Sequence, residues 1–251
     1  MYSLSETVNK LKRPLILAHR GSFNNMQIPE NSLLAFQEAI NLGADGFELD
    51  IQLSRDNELV VFHDRNLERL TGVKSEISAL NFKEINCLLF LNNPGTTLCK
   101  IPSLNQVFSL FGSKCFYNIE IKRRISSYKV LKLKLRNLIK DFGLEQNVWI
   151  SSFDPIFLWE WQKFEPNIPV AYLFESWNIY TKYICRRNFI QWLHPSLKLL
   201  QYLPELENIS EHFCFWVVNK EEDLQSMLKH KVTGIITDNV SITKKVISDA
   251  V

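Results

Sequence analysis

The chain has 251 residues, 46% hydrophobic and 22% charged, with a formal net charge of +2. That length suits one α/β barrel domain or two small ones, and the composition excludes a disordered chain. So small a charge, with no C2H2 pattern, RNP motif or long basic run, points away from nucleic acid. The cysteines (Cys87, Cys99, Cys115, Cys185 and Cys214) are odd in number and lack C-x-x-C spacing. They fit reduced core thiols better than a disulfide frame. No apolar signal core precedes Pro14 and no apolar run reaches membrane-spanning length, so a cytoplasmic protein is expected.

Taken in chain order, the first apolar run, over 15–19, ends in His19-Arg20-Gly21. Helical spacing of Leu34, Ala35, Ala39 and Leu42 predicts a helix over 32–42, with Asn31 as its N-cap. A strand over 45–53 follows and carries Glu48 and Asp50, two apart and therefore on one face. Like charges so placed repel unless a cation or a basic group lies between them. The run 58–63 ends in His63-Asp64 and is separated from the previous strand by Ser54-Arg55-Asp56-Asn57-Glu58 alone. That is too short for a βα crossover, so a hairpin is predicted. A two-residue turn at Asp56-Asn57 would set His63 opposite Asp50, beside the carboxylate pair.

Segment 66–101 then interrupts the alternation, with a helix-like NFKEINCLL and a Pro94-Gly95 turn. It reads as a small insertion that could cap a site. Further strands are predicted at 115–121, 147–152, 168–174, 189–194, 213–218 and 234–237. Helices are predicted at 103–112, 126–142, 155–164, 205–211, 220–230 and 240–248. The 115–121 strand carries Glu120, with Lys122 two residues on and on the same face. With the hairpin strand set aside, eight strands alternate with helices, as a (β/α)8 barrel requires. The expectation is one domain over 1–251.

Two imidazoles, a guanidinium and a carboxylate pair, each at or near the end of an apolar run, point to metal-assisted phosphoryl chemistry. The ordered set of motifs resembles the glycerophosphodiester phosphodiesterase family. The resemblance rests on His19-Arg20-Gly21, Pro29-Glu30-Asn31, Gly43-Ala44-Asp45, Glu48-Leu49-Asp50, His63-Asp64 and Ile119-Glu120-Ile121-Lys122. It continues through Ser152-Phe153, Trp216-Val217-Val218-Asn219 and Gly234-Ile235-Ile236-Thr237-Asp238. It implies a TIM-type barrel with a small insertion after the hairpin of the second strand. It implies a divalent cation on Glu48, Asp50 and Glu120, an acid/base pair in His19 and His63, phosphate contacts from Arg20 and Lys122, and a pocket lined by Phe153 and Trp216.

Elementary chemistry agrees with those implications. An attacking oxygen is repelled by an anionic diester until charge is neutralised, and a hard cation on carboxylates supplies that, as do Arg20 and Lys122. Such oxygen ligands suit Mg²⁺ or Ca²⁺. Two histidines can act as base and acid near neutral pH, in an order the sequence leaves open. The expected substrate is a small glycerophosphodiester, cleaved to glycerol 3-phosphate and an alcohol. The alternatives are a lysophospholipase D acting on single-chain lipids and a non-catalytic barrel that binds phosphodiesters.

Three local departures stand out. Ser32 follows Pro29-Glu30-Asn31 where the family usually has Thr, and Asn57-Glu58 follows Asp56 where Gly is common. Segment 175–203 combines Trp177, Tyr180, Tyr183, Phe189, Trp192 and Tyr202 with Lys182, Arg186, Arg187 and Lys198. Packing of these aromatics over the barrel is the favoured expectation. The second is weak, salt-sensitive contact with a membrane surface through a helix face holding Trp177, Tyr180 and Ile184. For His194, at a strand end, a capped loop position is favoured over a pocket contact.

Overall fold

The computed structural model of the chain describes residues 8, 11–22, 28–92, 95, 99–122 and 127–250. All nine predicted strands form: β1 Leu15–His19, β2 Gly46–Leu53, β3 Leu59–Val61, β4 Phe116–Ile121 and β5 Val148–Ser152 lead to β6 Val170–Phe174, β7 Trp192–Pro195, β8 Cys214–Phe215 and β9 Gly234–Thr237. Eight of them pair in parallel in the order β7-β6-β5-β4-β2-β1-β9-β8. The ends of that path meet through the parallel bridges Leu193↔Phe213 and Ser196↔Trp216. The result is a nearly closed (β/α)8 barrel of the TIM type.

Among the described residues the α-helices are α1 Leu33–Leu42, α2 Glu68–Thr71, α3 Phe82–Asn86, α4 Leu104–Phe111, α5 Tyr128–Asp141, α6 Pro155–Phe164, α7 Ile179–Cys185, α8 Leu203–Glu207, α9 Glu221–Met227 and α10 Val240–Ala250. Strand alternation sorts side chains into two layers. Phe47, Leu49, Ile51, Tyr117, Ile119 and Ile150 face outward and pack under helix residues such as Phe36, Phe108, Leu135 and Trp161. Leu15, Leu17, Trp149, Ala171, Trp192, Cys214 and Ile236 fill the barrel interior. A third cluster of Val60, Phe62, Leu67, Ile77, Ile85, Phe90 and Ile101 gathers segment 66–101 against β3. The insertion therefore shares a core with the hairpin. Pro94 lies outside the described residues.

Local chemistry moves two predicted details. The N-cap of α1 is Ser32, whose hydroxyl accepts from the Ala35 amide at 3.1 Å. Asn31 instead takes a left-handed backbone (φ 55°), and its side chain turns toward the barrel. The second concerns the hairpin. Its pairs are Ile51↔Val61, Gln52↔Val60 and Leu53↔Leu59, one residue away from the expected register. The turn has three residues, because Asn57 adopts φ 62°, a left-handed position that Asn tolerates. Ser54 supports it, accepting from the Glu58 amide at 2.8 Å. Phe62, rather than His63, therefore comes level with Asp50, and its amide donates to the Asp50 carbonyl at 3.0 Å.

Parallel register carries the chemistry to one end. His19 lies beside Glu48 across β1 and β2, and Asp50 lies beside Glu120 across β2 and β4. The β2–β4 approach is close at Gly46, where a Cβ would sit 2.1 Å from the Phe116 carbonyl oxygen. Gly46→Ala is expected to destabilise the fold by about 1–3 kcal/mol, the usual scale of overpacking against an unyielding neighbour. A lower urea midpoint at unchanged m-value is the expected reading, and an unchanged midpoint would contradict this approach.

Candidate active site

Three carboxylates lie at the carboxyl end of the barrel strands. One oxygen from each of Glu48, Asp50 and Glu120 lies within 4.8 Å of the others, and all three side chains are buried. Unopposed, such an arrangement would be untenable. Lys122 Nζ lies 2.6 Å from both Asp50 Oδ1 and Glu120 Oε1, and Arg20 Nε lies 3.5 Å from Asp50 Oδ2. Asn31 Nδ2 donates to Asp50 Oδ2 at 2.9 Å, and the Arg20 amide donates to Glu48 Oε2 at 3.2 Å. The left-handed backbone of Arg20 and Gly21 brings that amide in. A Cβ on Gly21 would strike the Ala35 backbone at 2.7 Å.

The environments split the three acids. Burial raises the Asp50 carboxyl, but Lys122 and Arg20 outweigh it and hold the group below its ordinary range. Burial, with Asp50 and Glu120 adding repulsion, pushes Glu48 well above the usual carboxylate range. Glu120 is likewise raised, chiefly by burial. Three acids against two protein cations leave a negative excess in a shell of hard oxygen donors. That is the chemistry of a Mg²⁺ or Ca²⁺ site, so these residues fit the group expected from the sequence.

Two His–Asp pairs flank this cluster. His19 Nδ1 is 2.8 Å from Asp238 Oδ1, and Asn219 Nδ2 donates to Asp238 Oδ2 at 2.7 Å. Burial raises the Asp238 carboxyl, and the bonds from His19 and Asn219 more than reverse this. His63 Nδ1 is 2.6 Å from Asp64 Oδ1. An ionised carboxylate can only accept, so each Nδ1 carries a proton toward its carboxylate, and Nε2 is left as the atom of each ring that can take up or give a proton. Burial, with Lys122 and Arg20 adding to it, lowers the His63 pKa despite the opposing pull of Asp50. His63 reaches this field although the register differs from that expected. Gln52 explains why: its amide nitrogen lies 2.6–3.2 Å from the carbonyl oxygens of Phe62, His63 and Asp64, fixing the chain where β3 ends.

Phe153 and Trp216 meet edge to face, with ring centroids 5.6 Å apart. Trp216 also borders a cavity of about 470 Å³ lined with Glu175, Ser196, Leu197, Lys198 and Val217. His194 is in neither expected place. It lies within β7, fully buried, and desolvation pushes its pKa down to about 3. Neither of its ring nitrogens has a hydrogen-bond partner among the described residues.

Segment 175–203 mostly packs, as favoured. Trp177 stacks on Phe174, its indole N–H donates to Glu205 at 2.8 Å, and Ile184 is buried. The proposed Trp177/Tyr180/Ile184 face therefore does not exist as an exposed surface. Ile179, Tyr180 and Tyr183 are the apolar side chains that α7 exposes.

Sequence reasoning passed over Glu30, Asn31 and Asp238 as functional positions. Asp238 had a readable signal, since it follows an apolar strand end just as His19 does. Asn31 was hidden by its resemblance to a helix cap.

The profile of the glycerophosphoryl diester phosphodiesterase family matches residues 19–242. A glycerophosphodiester phosphodiesterase of Caldanaerobacter subterraneus subsp. tengcongensis is 36% identical over 235 residues, covering 90% of this chain and 95% of that protein. A rat lysophospholipase D is 36% identical over 142 residues, or 53% of this chain and 43% of its own length. Among solved structures, an Oleispira antarctica phosphodiesterase in complex with the product sn-glycerol-3-phosphate superposes with a TM-score of 0.82 at 21% identity. That match covers 98% of this chain and all of the other. Profile, relative and site thus converge, and the chain belongs to the glycerophosphoryl diester phosphodiesterase family.

Proposed function

We propose that this chain is a metal-dependent phosphodiesterase that cleaves glycerophosphodiesters to glycerol 3-phosphate and an alcohol. One observation carries the reading: two imidazoles, each oriented by a carboxylate, flank a buried triad of acids at one barrel mouth. The name of the Caldanaerobacter relative and the product bound to the Oleispira enzyme support the same substrate class. The chain acts as one catalytic unit, with segment 66–101 as a cover built onto the β2–β3 hairpin. A cytoplasmic setting, which keeps the five thiols reduced, belongs to the same proposal.

Glu48, Asp50 and Glu120 would hold a Mg²⁺ or Ca²⁺ ion, which when bound supplies charge neutralisation to the diester. Lys122 and Arg20, each partly exposed to the mouth, hold non-bridging phosphate oxygens. His63, kept neutral, takes the proton of the entering oxygen at Nε2. His19, held through Nδ1 by Asp238 and acting as the imidazolium, delivers its Nε2 proton to the departing alcohol and is left as the neutral ring. Phe153 and Trp216 wall the organic part of the substrate. The decisive assay follows glycerol 3-phosphate release from glycerophosphocholine, with and without chelator. Full turnover in excess chelator would sink the metal-dependent reading.

Two expected outcomes follow from this geometry. His19→Ala and His63→Ala should each lower kcat by roughly 10²–10⁴-fold, the scale of proton-transfer groups. Wild-type kcat in either variant removes that histidine from the reaction.

The second concerns pH. A carboxyl whose folded pKa lies above its unfolded value stabilises the fold while protonated. That contribution is lost as pH rises through the folded pKa. Glu48 and Glu120 are raised in this way. The metal-free protein should therefore lose stability as pH climbs above the ordinary glutamate range. Mg²⁺ or Ca²⁺ should raise Tm more at mildly alkaline than at mildly acidic pH. A cation-induced shift that is flat or smaller at high pH contradicts the triad as the site, and Glu48→Gln should abolish the shift.

A second reading, lysolipid hydrolysis by the same site, is favoured by α7. Its first turn follows β6 directly and so lies at the catalytic mouth, next to the cavity bordered by Glu175 and Trp216. There Ile179 is 88% exposed and Tyr180 56%, with Tyr183 one turn on beside Arg187. Apolar and aromatic side chains beside cations suit the interface of an anionic bilayer. Flotation with anionic vesicles should recover the wild type weakly, and an Ile179→Ser, Tyr180→Ser variant not at all. Equal recovery of both proteins removes α7 from lipid access.

A further inference from the structure

Arg69 stands between the two halves of the site and has no place in the mechanism above. Its Nε lies 2.5 Å from Asp64 Oδ2 and its Nη2 lies 3.1 Å from Asp64 Oδ1, a forked grip on the carboxylate that orients His63. The same guanidinium reaches Glu30, with Nη2 2.6 Å from Oε1 and Nη1 3.4 Å from Oε2. Glu30 Oε1 in turn accepts from Arg20 Nη1 at 3.1 Å. Charges alternate along Asp64, Arg69, Glu30 and Arg20, with the neutral His63 ring at the head of the chain. Arg69 is the member supplied by segment 66–101.

We propose that Arg69 is a positioning residue that locks the His63 ring and the Arg20 guanidinium into one arrangement, resting on the phosphodiesterase reading above. Three observations support it. Asp64 unrestrained could swing off His63 Nδ1, since a carboxylate beside one imidazole has two equivalent oxygens and a free torsion. Arg69 occupies both oxygens and removes that freedom. Burial favours the neutral Asp64 acid, but the bonds from Arg69 and His63 outweigh it and keep the carboxylate ionised, as an acceptor for Nδ1–H. Finally, the helix that carries Arg69 is itself held. Leu67 is fully buried and Leu70 packs beside it in the cluster that joins the insertion to β3. The guanidinium is thus anchored from below although it is about half exposed. Lysine could not substitute, because an ammonium is a point charge without the planar fork that engages both Asp64 oxygens while also reaching both Glu30 oxygens.

This gives the insertion a second task besides covering the mouth. It supplies the cation that couples the proton-transfer side of the site to the phosphate-holding side. Positional errors of about 1 Å in such groups cost on the order of 10²-fold in rate, and they fall on kcat when binding contacts survive.

The test uses the full chain with Arg69→Ala and Arg69→Lys. Arg69→Ala should lower kcat for glycerophosphocholine on the order of 10²-fold with a much smaller change in KM. Guanidinium ion at sub-denaturing concentration should restore part of that loss. Arg69→Lys keeps the charge and guards against a folding failure, yet it should remain impaired and gain nothing from guanidinium. A separate readout needs no turnover. The ¹⁵N imidazole shifts of His63, assigned by difference from His63→Gln, should show one Nδ1–H tautomer in the wild type and a mixture in Arg69→Ala. Wild-type kcat in Arg69→Ala, or an unchanged single tautomer, would overturn the proposal. An inactive wild type whose tautomer still depends on Arg69 would instead count against the phosphodiesterase reading alone.

Discussion

Burial of three carboxylates within a few ångströms of one another is the constraint around which the barrel mouth is organised. Moving one ionised carboxyl out of water costs several kcal/mol, and bringing like charges together adds to that. The chain meets the cost locally with Lys122, which bridges Asp50 and Glu120, and with Arg20 and Asn31 on the remaining Asp50 oxygen. The compensation is unequal. Asp50 receives both cations and stays ionised, while Glu48 accepts one backbone amide and is driven toward its neutral form. With all three acids ionised the site is short of one positive charge, and the substrate class proposed for it is anionic. The same deficit therefore makes room for a divalent cation and, once that is bound, for a phosphodiester.

Much of this was legible in the sequence because it follows from strand periodicity. Glu48 with Asp50, and Glu120 with Lys122, share faces by spacing alone, and the structure sets them side by side. The hairpin was legible too, but its register was not. Asn57 absorbs an extra turn residue by adopting a left-handed backbone, and no pattern of apolar residues signals that choice. His63 still reaches the site because Gln52 and the Asp50 carbonyl hold the chain beyond β3. Those are contacts to backbone atoms, which leave no mark on hydrophobic periodicity. Asn31 shows the converse difficulty. Its side chain suits a helix cap and a carboxylate partner equally, and only tertiary context decides between them.

Aromatic residues were harder still. Trp177 and His194 belong to residue types found at both cores and sites, and their neighbours come from distant segments. Trp177 is settled by Glu205, and Trp216 donates its indole N–H to the His194 carbonyl. The buried His194 imidazole, with no hydrogen-bond partner among the described residues and the Trp149 ring edge-on beside it, is held neutral by its burial. Local spacing could not have separated that outcome from a pocket role.

The two His–Asp pairs differ in a way that links folding to chemistry. His63 and Asp64 are adjacent in sequence, so that pair forms once the hairpin and its insertion are in place. His19 and Asp238 lie 219 residues apart and meet only because β9 pairs with β1. Loop closure across such a span is entropically costly, since non-local contacts return nothing until the ends are together. Asn219, on the segment after β8, then fixes Asp238 from the neighbouring strand end. Arg20, Glu48 and Asp50 lie near the start of the chain and could assemble earlier, yet His19 has its partner only when the last strand is docked. A chain with β9 undocked from β1 would carry the acids and the cations without the completed second histidine. In this architecture the proposed proton-transfer pair is completed by the pairing of the last strand with the first.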